Sequence, residues 1–146
     1  MKLFKHLNKI VLPLLITAIS APSFAANKTG VGLGVAHDLG LGVTAQLRGT
    51  SIFFNSDAIA VDMRLQNFSN NLGTMHAYID AGGFYRDGDG NGDYYQTGIR
   101  LPVGLSFGIA PSLEAYIQAV PHYGFSDVDY YEGFDVDGAL GIRLRF

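Results

Sequence analysis

The chain contains no cysteine and no tryptophan. Without cysteine it cannot be a disulfide-stapled exported scaffold, and no cysteine follows the apolar N-terminal run, which excludes a lipoprotein anchor. Beyond that run no stretch approaches the roughly 20 apolar residues of a membrane helix, and no helical 3.6-residue period appears. Basic residues are also scarce. After the first 25 residues, which hold Lys2, Lys5 and Lys9 and no acid, seven Lys and Arg face thirteen Asp and Glu, a net charge of −6 against −3 for the whole chain. So acidic a protein is a poor candidate for nucleic acid. Chemistry-bearing motifs are missing too: there is no G-x-S-x-G elbow, no H-E-x-x-H and no P-loop.

What is present begins with a basic head at Lys2, Lys5 and Lys9, followed by the apolar run Ile10 to Ile19 and the small residues of Ser23-Phe24-Ala25. That order predicts a secretory signal over residues 1–25 and a single mature domain over 26–146.

The mature part alternates. Val31, Leu33 and Val35 oppose Gly32, Gly34 and Ala36, and Leu41, Val43, Ala45 and Leu47 oppose Gly42, Thr44, Gln46 and Arg48. Successive strand side chains point to opposite faces, so each such stretch is a strand with one apolar face. The pattern recurs at Ile59–Gln66, Thr74–Tyr85, Tyr95–Ile109, Leu113–Val120 and Asp137–Phe146, with a short aromatic strand at Ser51–Asn55. Turns are expected at 38–40, 68–72 and 110–112, and longer acidic loops at 86–93 and 122–136. Every charged residue inside a proposed strand sits opposite the apolar face: Arg48, Asp62, Arg64, Asp80, Arg100, Glu114, Arg143 and Arg145. An apolar-out, polar-in code of this kind predicts an all-β fold, a small antiparallel up-and-down transmembrane β-barrel of about eight strands.

The final strand, D-G-A-L-G-I-R-L-R-F, places Leu140, Ile142, Leu144 and Phe146 on one face, with Phe146 carrying the carboxylate. It resembles the terminal strand of bacterial outer-membrane β-barrels. That resemblance implies that these four residues form the signal read by the barrel assembly machinery. It further implies passage with periplasmic chaperones and residence in the outer membrane, in contact with its lipid and lipopolysaccharide. Counted back from a periplasmic C-terminus, 86–93 and 122–136 fall outside. Tyr85, Tyr94, Tyr95, Tyr123, Phe125, Tyr130 and Tyr131 then lie near the outer ends, and Phe68, Phe107 and Phe146 near the inner ones. These positions match paired aromatic girdles.

Three constellations could carry chemistry. Asp87, Asp89, Asn91 and Asp93 match the opening of a calcium loop, but position 12 is Gly98 where a bidentate Glu is needed. The alternative is a soluble Gly/Asp hairpin loop, and no other cofactor is implied. Asp127, Asp129, Glu132, Asp135 and Asp137 make the second loop acidic, suited to a partner, to divalent cations or to plain solvation. The eight strand charges make either an anion pathway or a packed ion-pair plug. An eight-stranded interior is filled by side chains, which favours the plug. Membrane-barrel lipid A deacylases carry His-x-Ser-Asn; here His122 is followed by Tyr123-Gly124, and His37 and His76 are isolated. The sequence therefore predicts no catalytic residues and a monomeric outer-membrane barrel with a structural or surface-interaction role and no open pore. The competing readings are a soluble periplasmic β-barrel holding an apolar ligand and a lipid-modifying barrel enzyme. The absence of tryptophan and of helical cover argues against the soluble one.

Overall fold

The computed structural model describes residues 30–69, 75–87, 95–126 and 132–146. Among them there are nine strand segments: β1 Val31–Asp38, β2 Gly40–Leu47, β3 Thr50–Phe54, β4 Ala58–Ser69, β5 Met75–Asp87, β6 Tyr95–Arg100, β7 Val103–Ala110, β8 Leu113–Phe125 and β9 Gly133–Arg145. Both β6 and β7 lie between β5 and β8, so together they form one stave of the wall. Each stave pairs antiparallel with its neighbours in the chain, and β1 pairs with β9. The result is the closed up-and-down barrel of eight staves that the alternation predicts.

Closure is staggered. Through the ladders, Gly32 lies level with Gln46, Ser51, Asp62, Gly82, Arg100, His122 and Asp135. The β9–β1 register, continued from His37↔Leu140, then returns to position 42, ten residues beyond the start. Stagger and strand tilt are linked, and a barrel of this kind tilts its strands by roughly 35–45°.

Local chemistry accounts for the turns. Arg48 takes a positive φ of 55° in the tight β2–β3 turn, and its N–H donates to the Gly30 carbonyl at 2.6 Å. Asn55 builds the β3–β4 turn: its Oδ1 accepts from the N–H groups of Asp57 (2.8 Å) and Ala58 (2.7 Å). Its Nδ2 donates to the Leu39 carbonyl at 2.9 Å, which ties two tight connections together. The stave between β5 and β8 is broken at Leu101-Pro102, where proline supplies no ladder N–H. It is carried across the break by Leu101 N–H to the Pro121 carbonyl (2.9 Å) and Asp80 N–H to the Pro102 carbonyl (2.8 Å).

Several boundaries move. The expected loop 122–136 is largely strand: β8 runs to Phe125, β9 starts at Gly133, and His122↔Asp135 and Tyr123↔Phe134 are paired. The alternation had in fact continued, since Phe134 and Val136 share the parity of Leu140, and acidic neighbours obscured it. Residues 86 and 87 of the expected loop 86–93 belong to β5. The short third strand is separate and paired on both sides, at Thr50–Phe54. The expected single strand Tyr95–Ile109 is two segments. A bulge between Arg64 and Gln66 shifts the phase of β4, so Asn67, paired with Tyr78, turns inward.

The interior is not wholly polar. Ala36, Phe53, Ala60, Phe84 and Tyr116 form a buried cluster, against which Leu39 packs from the β1–β2 hairpin. The aromatic rings take the space that facing glycines leave. A Cβ at Gly104 would lie 2.5 Å from Cζ of Tyr78, and one at Gly141 2.7 Å from the Tyr116 ring. Gly141→Val should therefore overpack the lumen and lower stability by about 1–3 kcal/mol in urea unfolding. Gly138→Ala, where an added Cβ meets nothing within 4 Å, should change it by less than about 0.5 kcal/mol.

Candidate functional site

The inward parity gathers the charges into a lumen of linked pairs. At its centre is Arg100, whose side chain is 1 % exposed. It reaches across the barrel from β6 to Asp38 at the end of β1, in a two-pronged contact: Nη1 donates to Oδ1 at 3.1 Å and Nη2 to Oδ2 at 2.6 Å. Its Nε also lies 3.0 Å from Oδ1 of Asp62 on β4. That third contact is an ion contact without hydrogen-bond alignment, for neither atom has a hydrogen-bond partner. One guanidinium thus ties three staves that are far apart in the chain. The planar fork of arginine suits it to this better than the point charge of lysine.

Toward the end that carries Phe146, Arg64 pairs with Asp80 at 2.5 Å and stacks over Tyr78, 4.0 Å from the ring centre. Arg145 pairs with Glu114 at 2.6 Å. Arg143 bonds to the side-chain oxygen of Gln46 and stacks over Tyr116 at 4.4 Å. Gln118 donates to the Tyr78 hydroxyl at 2.9 Å. Toward the opposite mouth, Arg86 donates to Gln96 at 2.7 Å and lies 3.7 Å from Asp137. His122 is buried edge-on against Phe84, with Nδ1 donating to the Val120 carbonyl at 3.2 Å and lying 3.7 Å from Asp137.

Of the eight charges read from the strands, seven face the lumen: Asp62, Arg64, Asp80, Arg100, Glu114, Arg143 and Arg145. Arg48 does not. It shares their parity but falls one residue past β2, in an exposed turn with positive φ. Asp38, Arg86 and Asp137 are lumen charges that the strand reading left out. Asp38 reads as a turn residue and Arg86 as a loop residue, and Asp137, which opens the terminal strand, reads as one of the loop acids, although each continues the inward parity of its strand. The calcium reading falls mostly on residues 89, 91 and 93, which lie outside the described residues, as do residues 127–131 of the acidic loop. Asp87 ends β5, with its N–H donating to the Asp57 carbonyl at 2.8 Å. Leu140, Ile142 and Leu144 all point outward from β9.

The outer wall is the chemical opposite of the lumen. Among the described strand residues, the outward positions carry no Lys, Arg or Glu, and a single acid, Asp87, at one end of β5. Leu41, Met63, Ile99, Val103, Ile117, Phe134 and Ile142 are among the large apolar side chains exposed there. Aromatic residues gather toward both ends: Tyr85 stacks on Tyr95 at 6.1 Å and Tyr123 packs on Phe125 at 5.1 Å, while Phe68 and Phe107 lie exposed at the other end. No helix among the described residues is long and apolar enough to cross a membrane, a statement that does not bear on strands. No family model, no curated protein and no solved structure matches the chain.

Because Arg100 is the one cation shared by two buried carboxylates, its removal leaves both without a partner. Arg100→Met should destabilise the barrel by about 3–5 kcal/mol in urea unfolding. Combining it with Asp38→Asn and Asp62→Asn should recover most of that loss, because the cost lies in orphaned charge and not in lost packing.

Proposed function

We propose that this chain is an outer-membrane β-barrel, exported by its first 25 residues and inserted through its terminal strand. Its role is structural or one of surface contact rather than catalysis. The observation that carries the proposal is the inverted polarity of the barrel. A soluble barrel keeps apolar side chains inside and shows water a polar wall; here the charges and ion pairs lie inside, beside one small aromatic cluster, and the wall is apolar all the way round. Exposed apolar patches on soluble monomers rarely exceed a few hundred Å². A closed barrel leaves no unpaired edge and is one of the two architectures able to satisfy its backbone in lipid.

The dimensions agree with this setting. Tyr95 and Phe107 stand 12 residues apart on one stave. At about 3.4 Å per residue and a tilt near 40° they are separated by roughly 30 Å along the barrel axis, the thickness of a bilayer core. Aromatic residues at both levels suit the two interfaces. The linked pairs around Arg100 occupy the lumen, which supports a filled barrel in place of a solute pore. The connections β5–β6 and β8–β9, at the end opposite Phe146, are the segments left to meet a partner or lipopolysaccharide.

Electrophoresis of the outer-membrane fraction with and without boiling tests the proposal. The unboiled chain should migrate faster, as a closed detergent-resistant barrel does. Val103→Arg, on the exposed wall, should cost about 2–4 kcal/mol of membrane stability and remove the folded band from that fraction, and Ile142→Arg, in register with Phe107 nearer one interface, should reduce that band at a smaller cost. Recovery of the chain in the periplasmic extract, with neither substitution altering its folding, would overturn the membrane reading.

A further inference from the structure

One lumen arginine has no carboxylate in contact, because Arg100 takes two. Among the described residues Arg64, Arg86, Arg100 and Arg145 each have a carboxylate within 4 Å, and Arg143 has none. Its register partner across the ladder is Glu114, but that carboxylate is taken by Arg145. Arg143 is 4 % exposed, and a buried cation without a counter-charge costs several kcal/mol. The hydrogen bond to the neutral Gln46 side chain and the Tyr116 ring beneath it offset part of that but supply no counter-charge.

Beside Arg143 lies a cavity of about 100 Å³, lined by Arg64, Arg143, Arg145, His76 and Ser106 among others. Its volume equals that of about three waters. Two buried nitrogens in its lining have no hydrogen-bond partner, Nε of Arg143 and Nδ1 of His76. The three arginines are matched by two carboxylates, Asp80 and Glu114, so the cavity carries one uncompensated positive charge before any protonation of His76. Water would satisfy the orphan donors but could not neutralise the charge.

We propose that this cavity holds a small inorganic oxyanion, of the size of phosphate, as the counter-ion of Arg143. The anion accepts from Arg143 Nε and, in the tautomer that protonates it, from His76 Nδ1; the Ser106 hydroxyl lines the same space. It completes the charge balance of the lumen half nearest Phe146. The inference concerns the interior of the barrel and does not depend on what surrounds the wall.

Titration calorimetry of inorganic phosphate into the full chain, folded in uncharged detergent micelles and dialysed into gluconate, tests it. Wild type should bind one phosphate per barrel saturably, with a matching rise in Tm. Arg143→Gln should weaken Kd about 10- to 100-fold, the range for losing a charged hydrogen-bond donor. Ser106→Asp places a carboxylate in the lining of the same cavity. It should fold without phosphate and lose both the binding heat and the phosphate-dependent rise in Tm, which keeps the test decisive if Arg143→Gln does not fold. Absence of saturable binding by wild type, equal stabilisation by chloride, or undiminished binding by Ser106→Asp would each overturn the proposal.

Discussion

The structure depends on a buried guanidinium. Arg100 is held by Asp38 across the lumen and by Asp62 along the wall, so β6, β1 and β4 are joined through one side chain. Backbone ladders make each stave adhere to its neighbours, but they do not set what fills the space between opposite walls. In an eight-stranded barrel that space is just wide enough for side chains. Filling it with arginines demands carboxylates at matching heights, and the arrangement is stable only if nearly every charge is matched.

This requirement connects several features of the molecule. Tyr78 and Tyr116 lie flat under Arg64 and Arg143, and glycines at 104 and 141 make room for them. The Leu65 bulge turns Asn67 inward near Arg64, and the Asn55 turn holds Leu39 against the aromatic cluster. Polar density inside has a counterpart outside, where the same alternation leaves the wall almost free of charge. In the proposed membrane setting the two halves of that pattern have one cause: lipid tolerates no outward charge, so every strand charge except Asp87 at the end of β5 is accommodated within.

Much of this was legible in the residues, and the failures are specific. The face of nearly every strand side chain followed from parity, because a strand has a period of two and the inward set is polar. Errors gathered at strand ends. Arg48 has the right parity but lies in the turn, since a hairpin ends where the chain reverses and not where the alternation lapses. Asp38 and Arg86 read as turn and loop residues, and Asp137 as a loop acid although it opens the terminal strand, because charge near Gly reads as solvent-exposed; each continues an inward register. The break at Leu101-Pro102 is not legible in the residues because Pro102 itself points inward and keeps the alternation intact.

The sequence alone determined the two faces of each strand, the closed all-β class and the apolar character of the outer wall, since all three rest on local periodicity. It could not determine which lumen charges meet. Asp38 and Arg100 are 62 positions apart, and nothing local relates them. Their contact is decided by the number of staves and by the ten-residue stagger of closure, which sets the height of each residue around the ring. For the same reason only the tertiary structure decided that Glu114 pairs with Arg145 while Arg143 is left over beside a cavity. Parity assigns a residue to the lumen; closure assigns it a partner.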